Sequence, residues 1–233
     1  MTQHPDLAAA VAEALAELLA LRPSTSTVSD ALDVLGLPGA LPGLSPRSGA
    51  GFVAGPAHTL RYERTEPGLG GTLGDYIDDV PAGAVLVLAN GGRTDCSVWG
   101  DLVTRVARRG GVAGTVIDGS CRDLDAIREL DYPVWSAGVS VRTGRNRARL
   151  AASDVPVRIG DHTVHPGDVV CADASGVVAV PAAALRDVVD RVRAVEDMER
   201  RILAALDAGT SLSEARATHG YHHVARHQPE EPS

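Results

Sequence analysis

Residues Gly110–Asp123, G-G-V-A-G-T-V-I-D-G-S-C-R-D, decide the fold. Val112, Val116 and Ile117 favour a buried strand over Val112–Asp118, and Gly119 permits a sharp exit that ends it. Such an exit aims the next side chains across the end of a sheet, where α/β folds commonly bind ligands. Arg122 supplies a forked cation suited to carboxylates and enolates. Asp123 supplies a hard oxygen ligand for Mg²⁺ or Mn²⁺. The plainer reading makes Asp123 the cap of a helix suggested by D-L-D-A-I-R-E-L, with Arg122 paired to a surface carboxylate.

Upstream, A-V-L-V-L-A at Ala84–Ala89 reads as a buried strand stopped by Asn90-Gly91-Gly92. The segment 100–110 reads as a helix, with Leu102, Val103, Val106 and Ala107 on one face and glycines at its end. Strand, helix, strand and helix in succession predict an α/β layer. Gly51–Arg64 has strand character, with Pro56 marking a break or an edge. Residues 36–50 are expected to be irregular, and Thr72–Val80 to form a short helix. Short strands punctuated by Gly-Asp and Pro-Gly turns fill 155–180, and Pro181 opens a long helix ending near Gly209. The predicted organisation is an N-terminal helix over 1–23, a core over 24–181, and a C-terminal helix with a polar tail over 182–233.

The chain has 233 residues, enough for one sizeable core, with 44% hydrophobic and 22% charged residues. A net charge of −8 and 3% aromatics argue against a nucleic-acid or anionic-membrane binder. The three cysteines, Cys96, Cys121 and Cys171, show no C-x-x-C spacing and read as free structural thiols of a reduced compartment. Leu7–Leu21 is interrupted by Glu13 and Glu17, which predicts an amphipathic helix and not a membrane span. A cytoplasmic location is the expectation.

The last helix carries Leu185, Val188, Val192, Val195, Ile202 and Leu206 in steps of three and four, with Glu199 completing the stripe. A carboxylate on an apolar seam requires a cation, a metal-bound water or a donor facing it, unless the seam there lies beyond the subunit's own core. His219, His222, His223 and His227 near the C-terminus and His58 in a strand are weaker metal or catalytic candidates. Cys121 beside Arg122 has no partner motif that would make it a nucleophile.

Taken in order, T-V-S-D-A-L, G-P-A-H-T-L, P-A-G-A-V-L-V-L, W-G-D-L-V, G-V-A-G-T-V-I-D-G-S-C-R-D and V-H-P-G-D-V-V-C-A-D-A-S-G-V-V-A-V-P resemble one family across most of the chain. It is the family of the ribonuclease E activity regulator A and the metal-dependent 4-hydroxy-4-methyl-2-oxoglutarate/4-carboxy-4-hydroxy-2-oxoadipate aldolases. The resemblance implies an α/β fold of the swivelling β/β/α, phosphohistidine-domain-like kind, in a single domain with N- and C-terminal helices. It also implies homotrimers or hexamers with sites between subunits. It implies that the amides of Leu102 and Val103, after Gly100 and Asp101, bind the carboxylate of a pyruvyl substrate. That agrees with the unpaired N–H groups of a helix's first turn.

Under the same resemblance Asp101 reaches the metal through water, Arg122 holds the substrate's carboxylate and oxo groups, and Asp123 ligates Mg²⁺ or Mn²⁺ directly. A glutamate from a neighbouring subunit is matched by Glu199, with Glu196 as the alternative. Ser97 departs from the alanine of many members, and the loop Ser136–Arg149 is rich in arginine; Arg142, Arg145 and Arg147 read either as a receiver of a distal carboxylate or as a solvated face. The implied activity is a lyase that cleaves a 4-hydroxy-2-oxo acid to release pyruvate, or decarboxylates oxaloacetate. The alternative is a non-catalytic ring that regulates a partner such as a ribonuclease. The chain contains no lysine, which excludes a Schiff base on a side-chain amine. No Gly-rich nucleotide loop supports a methyltransferase reading.

Overall fold

The computed structural model describes residues 5–49, 51–66 and 72–221. The chain opens with α1 (Pro5–Leu21) and α2 (Thr25–Val34), followed by β1 (Ser45–Ser48) and β2 (Val53–Arg64). A 3₁₀ turn at Asp75–Asp79 leads into β3 (Val85–Trp99), α3 (Asp101–Arg109), β4 (Gly114–Cys121), α4 (Leu124–Glu129) and β5 (Val134–Val139). Short strands follow: β6 (Ala148–Ser153), β7 (Val157–Ile159), β8 (His162–Val164), β9 (Val169–Ala172) and β10 (Val177–Val180). The chain then ends its described part in α5 (Leu185–Asp207) and α6 (Leu212–Thr218).

The main sheet runs β1-β5-β4-β3-β2-β9-β10, with β6 also on β2 and β7-β8 as a separate hairpin. β2, β3, β4 and β5 are parallel neighbours, as strand–helix alternation requires. Their two faces feed different cores, which explains the unbroken apolar run in β3. Leu86 and Leu88 join Ile117, Ile127 and Tyr132 beneath α3 and α4. Val85, Val87 and Ala89 join Val116, Trp135 and Ile159 on the other side.

β2 belongs to two ladders. Val53–Pro56 pairs antiparallel with β9, and Ala57–Arg61 pairs parallel with β3. Pro56, which has no N–H, stands where one ladder gives way to the other, so the break expected from sequence is this change of partner. A third core joins β9 and β10 to Leu18 of α1, Val28 and Leu32 of α2, and Val188 and Val192 of α5. Glu17 of α1 pairs with Arg186 and Arg193 of α5.

Several local expectations are corrected. Residues 36–50 contain β1 and a bridge from Ala40 to Val178. Asn90-Gly91-Gly92 does not end β3. Gly91 and Gly92 adopt φ of 64° and 68°, the ladder shifts register, and the strand resumes to Trp99. The buried Asp118 carboxylate accepts the Gly92 amide at 2.9 Å and fixes this bulge. Burial pushes the Asp118 carboxyl above its usual range, with the amides of Gly92 and Gly91 partly offsetting it. Gly119 does not end β4 either. A Cβ there would lie 3.1 Å from the Asn90 side chain, so its role is close approach between strands.

Asp173 ties α2 to the sheet. Its carboxylate accepts the Thr25 amide at 2.8 Å, the Thr25 hydroxyl at 2.7 Å and the Ser175 amide at 2.7 Å. Burial opposes the charged form, but the hydrogen bonds from Thr25, Ser175 and Gly176 outweigh it and hold the carboxyl below its usual value. A depressed carboxyl contributes stability that is present above its unfolded pKa and lost as pH falls through the folded one. Asp173→Ala should therefore cost about 1–3 kcal/mol near neutral pH, with a difference that shrinks in acid. Urea unfolding at pH 7 and pH 3 checks both the size and the sign.

Candidate active site

β3 and β4 end side by side. Trp99 pairs with Cys121, and the Arg122 amide donates to the Trp99 carbonyl at 3.0 Å. Each strand passes at once into a helix, so the starts of α3 and α4 open onto one edge of the sheet, the carboxyl edge where α/β proteins bind ligands. Gly100 occupies the cap position of α3 and has no side chain to satisfy its first amides, so the N–H groups of Leu102 and Val103 face outward with the positive end of the helix.

Asp123 precedes α4 with φ 59° and ψ 39°, in the left-handed region that a non-glycine residue adopts at a cost. It makes no side-chain cap to α4, which sets aside the plainer reading of the sequence. Its Oδ2 instead turns back to Arg122 Nε at 3.3 Å and accepts the Asp101 amide at 3.3 Å. A Cβ on Gly100 would lie 2.7 Å from this oxygen and 3.4 Å from Arg122 Nε, so only glycine fits between them. The Arg122 and Asp123 side chains remain 41% and 38% exposed, open enough to meet a ligand.

Gly100, Asp101, Leu102, Val103, Arg122 and Asp123, all singled out from sequence, line one cleft. Leu102 is 73% exposed at its mouth, an unusual place for leucine. Leu73, Val98 and Thr143 complete the cleft and are marked by no motif; Trp99, which opens the W-G-D-L-V segment, and Ser97, noted only as a departure, also line it. Among the described residues no three or more His, Cys, Asp or Glu side chains converge to hold a metal. The donor set at the cleft is Asp123 with Asp101 nearby. That suits an ion such as Mg²⁺, which takes one or two carboxylates and keeps its waters, better than a nitrogen- and sulfur-bound zinc.

Glu199 does not line this cleft within the chain, and its placement on the apolar seam is corrected. The seam passes through Val195, Met198 and Ile202, all buried, while Glu199 lies exposed beside it. Met198 takes the position because steps of three and four allow either residue, and the thioether is the one that packs. Partial burial and the negative charges of Glu196 and Asp30 raise the Glu199 carboxyl above its usual value. The arginine-rich segment is not all loop, since its ends belong to β5 and β6, and it is tied both to itself and to neighbouring strands. Arg147 donates to the carbonyls of Thr143 and Arg145, Arg149 pairs with Glu63, and the Arg142 carbonyl accepts from the Ser97 amide and hydroxyl.

His58 sits against Asp154 and Ser153, away from the cleft-lining residues. His219 follows α6, and His222, His223 and His227 lie outside the described residues. Cys96, Cys121 and Cys171 are free and buried; burial pushes the Cys121 thiol up, against a role as nucleophile. No helix among the described residues is long and apolar enough to cross a membrane.

Comparison with known proteins gives the family of the chain. The RraA-like (Aldolase/RraA) family model matches residues 25–179. Protein DlpA of Legionella pneumophila is 38% identical over 200 residues, 85% of this chain, and the chain spans 32% of DlpA's length. A Halalkalibacterium halodurans protein that carries the provisional name 4-hydroxy-4-methyl-2-oxoglutarate aldolase is 29% identical over 171 residues, 72% of this chain and 78% of its own. The crystal structure of an uncharacterized Pseudomonas syringae protein superposes with a TM-score of 0.81 at 41% identity, covering 88% of this chain and 96% of that one. Streptomyces coelicolor RraAS2, described as an unusual member of the RNase ES inhibitor RraA protein family, gives a TM-score of 0.72 at 33% identity, covering 81% and 94%. The fold, the motifs and these likenesses together make the chain a member of the RraA-like family.

Proposed function

We propose that the protein is a divalent-metal-dependent lyase that cleaves a 4-hydroxy-2-oxo acid to pyruvate and a carbonyl compound, or decarboxylates oxaloacetate. The observation that carries this reading is Asp123, held in a left-handed conformation and turned away from its own helix toward Gly100, Asp101 and Arg122. Arg22, Asp131, Asn146 and Asp154 share this backbone region, so it is the direction of the Asp123 carboxylate, toward Arg122 and the Asp101 amide, that carries the weight. The aldolase names among the relatives support the reaction class.

The Leu102 and Val103 amides hold the substrate's carboxylate at the positive end of α3. As the C3–C4 bond breaks, its electron pair passes to the 2-oxo group as an enolate, the 4-hydroxyl gives its proton to solvent water at the open cleft, and C4 becomes a carbonyl. The Arg122 fork faces the oxygen on which charge grows. Protonation at C3 then gives pyruvate. Asp123, with Asp101 beside it, would hold Mg²⁺ or Mn²⁺, which would supply further positive charge for enolate stabilisation. Decarboxylation of oxaloacetate needs the same enolate stabilisation. A second reading, a ring that regulates a ribonuclease, has the likeness to RraAS2 in its favour. Retention of Asp101, Arg122 and Asp123 in one cleft favours chemistry, since a purely regulatory ring has no need of them together.

Pyruvate release from a panel of 4-hydroxy-2-oxo acids and oxaloacetate, with Mg²⁺, Mn²⁺ or chelator, tests the reading. Turnover should require the cation and vanish in Asp123→Ala, while the variant keeps its oligomeric state by light scattering. Full activity in excess chelator contradicts the proposal.

Arg122→Lys should lower kcat by about tenfold or more, because a point cation cannot replace a fork aimed at the transition state. A rise in KM with kcat intact would reduce Arg122 to an anchor for the ground state.

We propose that Glu199, matched by the family resemblance to a glutamate from a neighbouring subunit, serves a neighbour's site, with Glu196 as the alternative. Glu199→Ala and Asp123→Ala homomers should each be nearly inactive, and reassembled mixtures should regain activity at interfaces that pair an intact residue from each. Co-purification of tagged subunits verifies exchange. A dead mixture with proven exchange excludes the shared site.

A further inference from the structure

The lining of the cleft is of two unlike kinds. Gly100, Asp101, Arg122 and Asp123 contact one another and carry its charge. Leu73, Ser97, Val98 and Thr143 also line it, with no ionised side chain among them. We propose that Leu73, positioned by a hydrogen bond from the buried Tyr62, sets the size limit on the part of the substrate remote from its carboxylate. This inference rests on the 2-oxo acid reading above.

The geometry that fixes Leu73 is specific. The Tyr62 phenol, 5% exposed at the residue level, donates to the Leu73 carbonyl at 2.6 Å. The next residue, Gly74, is pressed so close to α3 that a Cβ there would lie 2.5 Å from Val103 Cγ1. Beside it, a Cβ on Gly144 would lie 3.2 Å from Leu73 Cδ1 and 2.5 Å from the Ser97 carbonyl oxygen. Gly144 in turn is part of the loop that Ser97 fastens through its amide, at 2.8 Å, and its hydroxyl, at 3.0 Å, to the Arg142 carbonyl.

The backbone at Leu73 is thus fixed by the Tyr62 hydrogen bond and by the close approach of Gly74 to α3, and its side chain lies beside the Gly144 backbone. Shifting this segment to admit a larger ligand would break the Tyr62 hydrogen bond or drive the segment against α3. A substrate whose carboxylate sits on the Leu102 and Val103 amides directs its remaining carbons along the cleft, and the uncharged lining receives them. The wall admits a small apolar substituent and excludes a bulky one. Tyr62 is a positioning residue: it touches Leu73 and acts through it.

The test uses the full-length protein with Mg²⁺ and three 4-hydroxy-2-oxo acids bearing hydrogen, methyl or n-propyl at C4. The measured quantity is the ratio of kcat/KM for the n-propyl compound to that for the unsubstituted one. Leu73→Ala should raise this ratio about tenfold or more, and Leu73→Phe should lower it, since each change alters the space at an apolar wall by one or more methylene groups. Tyr62→Phe keeps the ring and removes the hydrogen bond, so it should relax the ratio in the direction of Leu73→Ala, through KM more than through kcat. Active wild-type protein with the ratio unmoved in both Leu73 variants overturns the inference alone. A wild-type protein that turns over none of the three compounds overturns this inference, and one that also fails to decarboxylate oxaloacetate overturns the 2-oxo acid reading with it.

Discussion

The arrangement depends on one close approach. Gly100, at the end of β3, leaves the space into which the Asp123 carboxylate turns from the end of β4. This works because the two strands are parallel neighbours whose last residues, Trp99 and Cys121, stand in register. The Arg122 amide closes the junction by donating to the Trp99 carbonyl. With the strand ends fixed, Asp123 takes up a left-handed backbone at a cost of about 1–3 kcal/mol, offset by the packed layers on both faces of the sheet. The amide end of α3, the Arg122 fork and the Asp123 carboxylate then meet without any of them being borne on a flexible loop.

Much of this was legible in the sequence, and the parts that were not have physical causes. The alternation of Val85, Leu86, Val87 and Leu88 between two cores explains why a continuous apolar run could be read as a buried parallel strand. The helix starts at Asp101 and Leu124 follow from the glycine and the Arg-Asp pair before them. Glycines misled where they serve close packing. Gly91-Gly92 reads as a stop but is a bulge fastened by Asp118, and Gly119 reads as an exit but makes room for Asn90. Both roles depend on partners 26 to 29 residues away, which no local pattern contains. Glu199 was misplaced for a similar reason: periodicity alone does not choose between positions 198 and 199 on a helix whose seam drifts. Leu73 was invisible because its place is set by the Tyr62 hydroxyl and the Gly144 backbone.

Charge is distributed unevenly. The chain carries a net charge of −8, yet the loop beside the cleft holds Arg142, Arg145 and Arg147, and Arg122 stands within the cleft itself. A local positive field in an acidic protein is suited to gathering a small anion, since steering depends on the charges near the cleft mouth more than on the total. The ties of Arg147 to backbone carbonyls show that part of this loop is architecture. Arg147 holds the backbone that carries Thr143 in place as well as charging its surroundings.

The central claim is that this cleft stabilises a pyruvate enolate through Arg122 and a divalent cation. Loss of the pyruvate methyl proton signal in D₂O, followed by NMR with protein and Mg²⁺, tests it most directly, because exchange requires the enolate and no second substrate. The account predicts exchange that depends on the cation and collapses in Arg122→Ala. Methyl protons that persist at saturating pyruvate and Mg²⁺ would contradict it.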